Sequence, residues 1–264
     1  MTSNTIIKRA YADTPEGQVH LRRAGTGDPL VLMHWCPSNG RQYEPVIPDF
    51  VERGFSVIAP DLMGYGDSDK PDTQWAIGDF ATNLLHLLDA LELEAVNLVG
   101  GHTSAAICAE FAVQHPERIK RLVLDGCPAY TPEARAERKG KYALPLELSA
   151  DGEHMMWAWK RSFRRPDMPL DRAFLSAVDL LKAGFTWHTG YEALADYDME
   201  SRLPAIGAPT LVMSATEDTL HEYFEKCLSL IPDSHPHLFH GRGLADPAQA
   251  GEFVQVVADF LDGN

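Results

Sequence analysis

The stretch Leu98-Val99-Gly100-Gly101-His102-Thr103-Ser104-Ala105-Ala106 decides how this chain of 264 residues is interpreted. The apolar residues 95–99 run into a Gly-Gly turn and then directly into an alanine-rich helical pattern at 105–112. A strand, a tight turn and a helix form the nucleophile elbow, normally G-x-S-x-G, which lifts one side chain above a sheet. Here the five positions read Gly100-Gly101-His102-Thr103-Ser104, so a histidine stands where the nucleophile is expected.

The composition is that of a globular protein, with 45% hydrophobic and 23% charged residues. The length allows one core with an inserted segment. A formal net charge of −15 argues against binding to nucleic acid and to anionic membranes, both of which require a basic surface. We therefore expect a small-molecule substrate and neither a nucleic acid nor a membrane as partner. The sequence leaves a homodimer open.

The cysteines and the N-terminus indicate a cytoplasmic protein. Cys36, Cys108, Cys127 and Cys227 show no C-x-x-C spacing, which argues against a zinc site and against a disulfide framework. The first residues lack the apolar stretch of a secretion signal, and no apolar run reaches the ~20 residues that span a bilayer. Reduced thiols and no bound metal are expected.

Strand-like apolar runs alternate with helical patterns along most of the chain, which predicts an α/β fold with a mainly parallel, doubly wound sheet. Strands are predicted near 6–12, 19–23, 29–33, 55–60, 95–99, 121–125, 208–214 and 237–240, and helices near 43–53, 77–91, 105–112, 220–230 and 250–261. Residues 129–205 break the alternation, since they are rich in helix formers, Met and Trp. They predict a helical cap inserted between core segments 1–128 and 206–264.

Five motifs, in order along the chain, resemble those of the α/β-hydrolase superfamily. They are Leu32-Met33-His34-Trp35-Cys36-Pro37 (similar to an H-G-x-P oxyanion loop), residues 57–68, the elbow, His115-Pro116-Glu117-Arg118, and Pro209-Thr210-Leu211-Val212 followed by Glu217-Asp218. The resemblance covers nearly the whole chain and implies the α/β-hydrolase fold. It also implies a nucleophile, an acid and a histidine in that chain order, where the histidine deprotonates the nucleophile and the acid orients the histidine.

The nucleophile position depends on the register of the elbow. An ungapped match to the family spacing between the elbow and His115 assigns this position to His102. A register one residue later would make Thr103 the nucleophile, but it would require an insertion or deletion in a compact helix. Ser104 falls on the helix side and is expected to be structural.

The chain has a carboxylate where the resemblance implies the acid of the triad, but no histidine where it implies the general base. The resemblance assigns the acid to Asp218, with Asp125 as a second candidate, because a few family members, including cofactor-independent ring-cleaving dioxygenases, place an acid there. Asp125 could equally accept hydrogen bonds from loop amides. The last loop of the family usually reads G-x-G-H, but here it is Gly241-Arg242-Gly243-Leu244, and leucine cannot transfer a proton. His240, four residues before that position, is expected to be structural.

The resemblance assigns the oxyanion hole to the backbone N–H groups of Cys36 and Thr103. Trp35 replaces the usual glycine and would add an aromatic wall. We expect His34, Trp35 and Trp157 to line the substrate pocket. For Cys36 and Cys127 a buried, apolar role is favoured over a catalytic thiol.

These assignments leave two classes of function. In the first, the chain is an enzyme acting on a small, partly apolar or aromatic carbonyl compound, with His102 as general base and no cofactor. An unperturbed imidazole, with a pKa of about 6.5, suits this role at neutral pH. Hydrolysis, lyase or isomerase chemistry and cofactor-free oxygenation all fit. In the second class, the chain binds a small molecule without converting it, as the missing base favours.

Overall fold

A computed structural model describes residues 5–163, 166 and 168–263. This part of the chain contains one eight-stranded sheet in the order β1-β2-β4-β3-β5-β6-β7-β8. The strands are β1 (Lys8–Thr14), β2 (Gly17–Ala24), β3 (Asp28–Met33), β4 (Phe55–Pro60), β5 (Val96–Gly101), β6 (Ile119–Asp125), β7 (Thr210–Ala215) and β8 (Ser234–Phe239). The pairs from β4 through β8 are parallel, whereas β1 pairs with β2, and β2 with β4, in antiparallel fashion.

Helices cover both faces of this sheet. The α-helices of the described residues are α1 (Ile47–Glu52), α2 (Ile77–Ala90), α3 (Thr103–Gln114), α4 (Pro132–Arg138), α5 (Glu153–Ser162), α6 (Leu170–Ala183), α7 (Thr189–Ala195), α8 (Met199–Arg202), α9 (Phe224–Leu230) and α10 (Ala250–Asp262), of which α4 to α8 lie in the segment between β6 and β7. One apolar cluster contains Phe80 of α2 and Phe111 of α3, and a second contains Phe50 of α1 and Phe253 of α10. The predicted α/β fold with a mainly parallel sheet is confirmed.

The central strands are buried on both faces because nearly all their side chains are apolar. Every residue of β5 is buried, from Val96 to Gly101. A strand of this kind cannot lie at a solvated edge, and the sheet order places β5 between β3 and β6. The carboxyl ends of parallel strands meet at one edge of the sheet, so the loops after β3, β5, β6 and β7 converge there. The candidate site lies at this edge.

Several boundaries differ from the predicted ones. The helix predicted near residues 43–53 begins only at Ile47, after a separate 3-10 helix at Gly40–Tyr43. Proline fits the first turn of a helix but removes a hydrogen bond further inside, so Pro48 places the helix start directly before it. The helix predicted near 220–230 likewise divides into a 3-10 helix, His221–Tyr223, and α9.

Residues 129–205, which we call the cap, connect β6 to β7. The described residues of this segment form α4 to α8 and no strand. Helices α5 and α6 pack against each other, while Leu170 and Phe174 of α6 are largely exposed. Within residues 5–163, 166 and 168–263, no helix combines the length and the apolar content that a membrane crossing requires.

Candidate active site

His102 lies at the apex of the turn between β5 and α3. Strand β5 ends at Gly101 and helix α3 begins at Thr103, so His102 is the single residue between them. Its backbone angles are φ 52° and ψ −114°, a region that non-glycine residues rarely adopt and that is found at functional sites. The strained residue of the turn is thus His102, whereas Thr103 is already helical and 2% exposed.

The tight turn depends on Gly100. A Cβ atom at this position would lie 2.5 Å from Sγ of Cys108 and 2.5 Å from the carbonyl oxygen of Ser104. Because both atoms belong to α3, only a glycine lets the helix approach the strand this closely. The first turn of α3 is therefore held directly against the end of β5.

The imidazole of His102 contacts the carboxylate of Asp218 in the loop after β7. Nε2 of His102 lies 2.7 Å from Oδ2 of Asp218, and the other carboxylate oxygen accepts the N–H of Leu220 at 2.8 Å. Burial raises the pKa of Asp218, but the hydrogen bond and charge of His102 outweigh it, and the pKa lies below its ordinary value. An ionised carboxylate only accepts hydrogen bonds, so Nε2 is the donor, and the neutral imidazole carries its lone pair on Nδ1.

Gly126 and Trp35 enclose this His–Asp pair. A Cβ atom on Gly126 would lie 2.8 Å from Cδ2 of His102 and 3.1 Å from Oδ2 of Asp218, so a side chain here would displace both groups. The indole of Trp35 lies with its centroid 5.5 Å from that of the imidazole, at an interplanar angle of 39°. The His102 side chain is nevertheless 37% exposed and can be reached by a small molecule.

The last loop has Leu244 at the position that the sequence resemblance assigns to a histidine, and leucine cannot accept a proton. Leu244 lies in a 3-10 helix, Gly243–Ala245, and packs into the same apolar cluster as Phe239 and Phe253. His240 is exposed. The imidazole of His102 reaches the acid directly, without the intervening histidine side chain that an ordinary triad contains.

Asp125, the last residue of β6, is a second carboxyl group beside this pair. Its carbonyl oxygen accepts the N–H of His102 at 2.9 Å, which ties the elbow to β6. Burial raises the pKa of the Asp125 side chain to about 6; the charge of His102 opposes the shift and that of Asp218 adds to it. The two carboxyl groups therefore ionise in different pH ranges, Asp218 below its ordinary pKa and Asp125 well above.

The raised pKa predicts that ionised Asp125 lowers the stability of the folded protein. Between pH ~4 and ~6 the unfolded chain loses this proton while the folded protein retains it, so stability falls as the pH rises through that range. We expect Asp125→Asn to raise the free energy of unfolding at pH 8 by about 1–2 kcal/mol and to have no such effect at pH 4. Urea denaturation at both pH values measures this. An equal gain from Asp72→Asn, at an exposed carboxylate, would contradict the assignment.

The two amides predicted to form the oxyanion hole are available as donors. Among the hydrogen bonds of residues 5–163, 166 and 168–263, none uses the backbone N–H of Cys36 or of Thr103. Burial raises the pKa of the Cys36 thiol to about 12, although hydrogen bonds with Tyr65 and Thr103 lower it. At neutral pH this thiol is protonated and is a poor nucleophile. The same holds for Cys127, whose pKa is raised well above its ordinary value by a hydrogen bond with Cys227 and by burial.

The structure separates the three residues that the sequence predicted to line the pocket. Trp35 contacts the imidazole of His102, as described above. His34 is completely buried: Nδ1 lies 3.0 Å from the carbonyl oxygen of Trp35, and Nε2 accepts the N–H of Leu62 at 2.9 Å. His34 thus connects two loops and presents no surface to a ligand in this structure. Trp157 packs on Trp187 inside the cap, at a centroid distance of 5.2 Å.

Ser104 has a structural environment. It is fully buried, and its hydroxyl donates a hydrogen bond to the carbonyl oxygen of His34. This contact joins the first turn of α3 to the residue that follows β3. The expected structural role of Ser104 agrees with its position.

A second cluster of ionisable side chains, His20, Asp61 and Asp67, lies close enough together to resemble a metal site. The carboxylate of Asp61 already accepts hydrogen bonds from four donors: His20, the Arg22 guanidinium, and the N–H groups of Gly40 and Asp67. A guanidinium directly on a carboxylate opposes the binding of a cation. We therefore interpret this cluster as a structural network that joins β2 to Gly40 and to the loop after β4.

A comparison with known families identifies the fold. The sequence model of the alpha/beta hydrolase fold matches residues 28–233, which is most of the chain. The chain belongs to the α/β-hydrolase family. The enol-lactonase from Burkholderia xenovorans LB400 superposes with a TM-score of 0.79 over 96% of this chain and 100% of that chain. At 22% sequence identity, this similarity shows the fold alone.

Curated relatives are similar over different shares of their length. An uncharacterised protein of Mycobacterium tuberculosis is 36% identical over 103 residues, which are 39% of this chain and 30% of that protein. The chain therefore matches under a third of that relative. The 2-hydroxy-6-oxo-2,4-heptadienoate hydrolase of Pseudomonas putida is 28% identical over 265 residues. This alignment covers 92% of that enzyme and 92% of this chain.

Two residues beside the site were not predicted from the sequence. Gly126 directly follows the candidate acid Asp125, and its contact with His102 follows only from the turn after β6. Tyr191 of the cap donates a hydrogen bond to the carbonyl oxygen of Cys36 at 2.7 Å. Its place in a cap segment rich in aromatic side chains was visible in the sequence, but the contact was not, because the two residues lie 155 positions apart.

Proposed function

We propose that the chain is an enzyme in which His102 is the general base and no side chain acts as nucleophile. The observation that carries this proposal is the 2.7 Å hydrogen bond between the elbow histidine and Asp218. An ionised acid at Nε2 orients the imidazole and stabilises the imidazolium that forms when Nδ1 takes a proton. General-base chemistry requires only these two groups and a substrate within reach.

The substrate class is a small, partly apolar or aromatic carbonyl compound. In the hydrolytic version, Nδ1 takes a proton from a water molecule whose oxygen attacks the carbonyl carbon. The carbonyl oxygen becomes an oxyanion that accepts the N–H groups of Cys36 and Thr103. The intermediate then expels the leaving group, which receives the proton from His102. The similarity to a hydrolase of a 2-hydroxy-6-oxo compound supports a carbonyl substrate.

The same groups support two other outcomes. When Nδ1 takes a proton from a carbon next to the carbonyl group, the oxyanion hole stabilises an enolate, which leads to lyase or isomerase products. An enolate-like anion can also react with molecular oxygen without a cofactor. Hydrolysis is favoured because a relative that aligns over 92% of its length is named as a hydrolase.

A catalytically silent ligand-binding protein is the second candidate, since Leu244 occupies the position of the family's base. Two observations favour the enzyme over it. The elbow retains a backbone strain of order 1–3 kcal/mol at His102, which binding alone does not require. In addition, the acid is ionised and hydrogen-bonded to the residue at the turn apex.

This mechanism predicts that no covalent intermediate forms between the protein and its substrate, and trapping experiments test this prediction. We expect a fluorophosphonate to leave the mass of the protein unchanged, and rapid quenching during turnover of ester, lactone and oxo-dienoate substrates to trap no acyl-enzyme. A single turnover in H₂¹⁸O is expected to leave no ¹⁸O in the protein, because no side-chain carboxylate acts as nucleophile. An adduct or an acyl group on Thr103 or Ser104 would contradict the proposal. Tight ligand binding without turnover of any substrate would support the silent protein.

A further inference from the structure

A buried carboxylate of the cap contacts the loop that carries one of the proposed oxyanion donors. Asp179 lies on α6, and its side chain is 9% exposed. It accepts a hydrogen bond from Nδ2 of Asn39 at 2.8 Å, a second from the guanidinium of Arg41 and a longer one, 3.4 Å, from the hydroxyl of Ser38. All three donors belong to residues 36–41, which we call the oxyanion loop.

The oxyanion loop is held from two sides. On the core side, Asp61 accepts the N–H of Gly40 at 2.7 Å. On the cap side, Tyr191 donates to the carbonyl oxygen of Cys36, and Asp179 receives the three side-chain donors. Apart from the 3-10 turn at residues 40–43, this loop has no regular secondary structure to hold it, so side-chain contacts set its position.

The three side chains that contact Asp179 all donate hydrogen bonds, so this position of α6 requires an acceptor such as a carboxylate. Arg41 donates both to Asp179 and to the carbonyl oxygen of Leu175, one turn earlier on α6. Asn39 donates a hydrogen bond from Nδ2 to Asp179, and its Oδ1 accepts the N–H of Arg41 at 2.9 Å. A charge-assisted network of this kind restricts both side chains and therefore the backbone between them.

We propose that Asp179 is a positioning residue: through Asn39 and Arg41 it holds the oxyanion loop so that the N–H of Cys36 faces the carbonyl oxygen of the substrate. Asp179 itself touches no substrate. This role rests on the proposed function, because Cys36 matters only if its N–H stabilises an oxyanion. The cap thus affects catalysis by fixing the position of the oxyanion loop.

The effect on catalysis follows from the role of preorganised donors. Removing one oxyanion-hole donor typically lowers kcat by ~10²–10³-fold, and displacing it lowers kcat by less. We expect Asp179→Asn, which keeps the shape but loses the charge, to lower kcat about 10–100-fold with KM changed less than about threefold. Amide hydrogen exchange of peptides covering residues 36–43 is expected to accelerate about tenfold or more without substrate.

Glu110→Gln is the matched control. Glu110 of α3 is another buried carboxylate that joins core and cap, and it accepts hydrogen bonds from Arg202 and Tyr197. It has no contact with the oxyanion loop among the described residues. We expect this variant to accelerate exchange around residues 197–202 and to leave both residues 36–43 and kcat at wild-type values.

The two readouts separate this proposal from the proposed function. If exchange at residues 36–43 is equal in the wild type and in Asp179→Asn, the positioning role is wrong, whatever the activity. If exchange accelerates in this variant alone but kcat stays the same, the oxyanion loop does not serve catalysis through Asp179, and the proposal is also wrong. If the wild type converts no carbonyl substrate, the proposed function fails, while exchange still decides whether Asp179 holds the loop. An equal fall in kcat for Glu110→Gln would show a general effect of cap docking and overturn the proposal.

Discussion

Replacement of His102 by alanine is expected to lower kcat about 10²–10⁴-fold, the usual contribution of a general base. The imidazole is the only group of the described site that contacts the ionised Asp218 and also lies at the exposed apex of the elbow. With a methyl group at this position, the imidazole that is proposed to take the proton from water or the substrate is lost. The oxyanion amides remain, so ligand affinity is expected to stay within about threefold of the wild-type value.

The measurement combines steady-state kinetics with a binding titration of a product or a competitive inhibitor. His240→Ala is the control, because this exposed histidine lies in the last loop without belonging to the pair. A His102→Ala variant that keeps more than about a tenth of the wild-type kcat would exclude the general-base role. Asp218→Asn is expected to lower kcat by less than His102→Ala, since it removes the orienting group and leaves the base.

Replacement of Asp61 by alanine is expected to have the largest effect on stability, about 3–5 kcal/mol of the free energy of unfolding. The carboxylate is 1% exposed and accepts four donors, among them the buried guanidinium of Arg22. Burial raises the pKa of Asp61, but the hydrogen bond of His20, the charge of His34 and the amides of Asp67 and Gly40 outweigh it and lower the pKa to about 2. The alanine variant removes the buried partner of the Arg22 guanidinium, which keeps only the half-buried Glu44, and leaves two backbone amides without an acceptor.

The sign of the pH dependence follows from this shift. Because the pKa of Asp61 is lower in the folded protein than in the unfolded chain, ionised Asp61 contributes stability above pH ~4, and this contribution is lost as the pH falls towards ~2. Urea denaturation at pH 7.5 measures the cost of Asp61→Ala. Asp67→Asn is the control: its side chain pairs with Lys182 at the surface, where ion pairs contribute about 1 kcal/mol or less. A cost below about 1 kcal/mol for Asp61→Ala would contradict the structural role.

The fold could be predicted from the sequence because its signals are local. Apolar runs of strand length, each followed by a turn and a helical pattern, define a parallel sheet with covered faces, and the ends of most strands lie within a few residues of the predicted positions. The exceptions follow local chemistry as well, as at Pro48, where proline sets the start of α1. The order of the motifs along the chain also predicts that His102 lies in the elbow and Leu244 in the last loop.

The geometry of the site could not be predicted in the same way. His102 and Asp218 are 116 positions apart, and their contact requires β5, β6 and β7 to lie side by side with a glycine at position 126. The complete burial of His34, which the sequence predicted to line a pocket, follows from the return of the chain at Leu62. The raised pKa of Asp125 likewise comes from burial, which no residue pattern specifies.

The sequence by itself determined the family scaffold, the histidine at the elbow and the leucine at position 244, where the family motif has a histidine, because each is a matter of residue identity in a local motif. Only the tertiary structure decided that the elbow histidine pairs directly with the acid through Nε2, and that a carboxylate of the cap reaches the oxyanion loop. These contacts join residues more than 100 positions apart. Their geometry depends on strand order and on how residues 129–205 pack against the core helices and the oxyanion loop, and neither is encoded in the spacing of a motif.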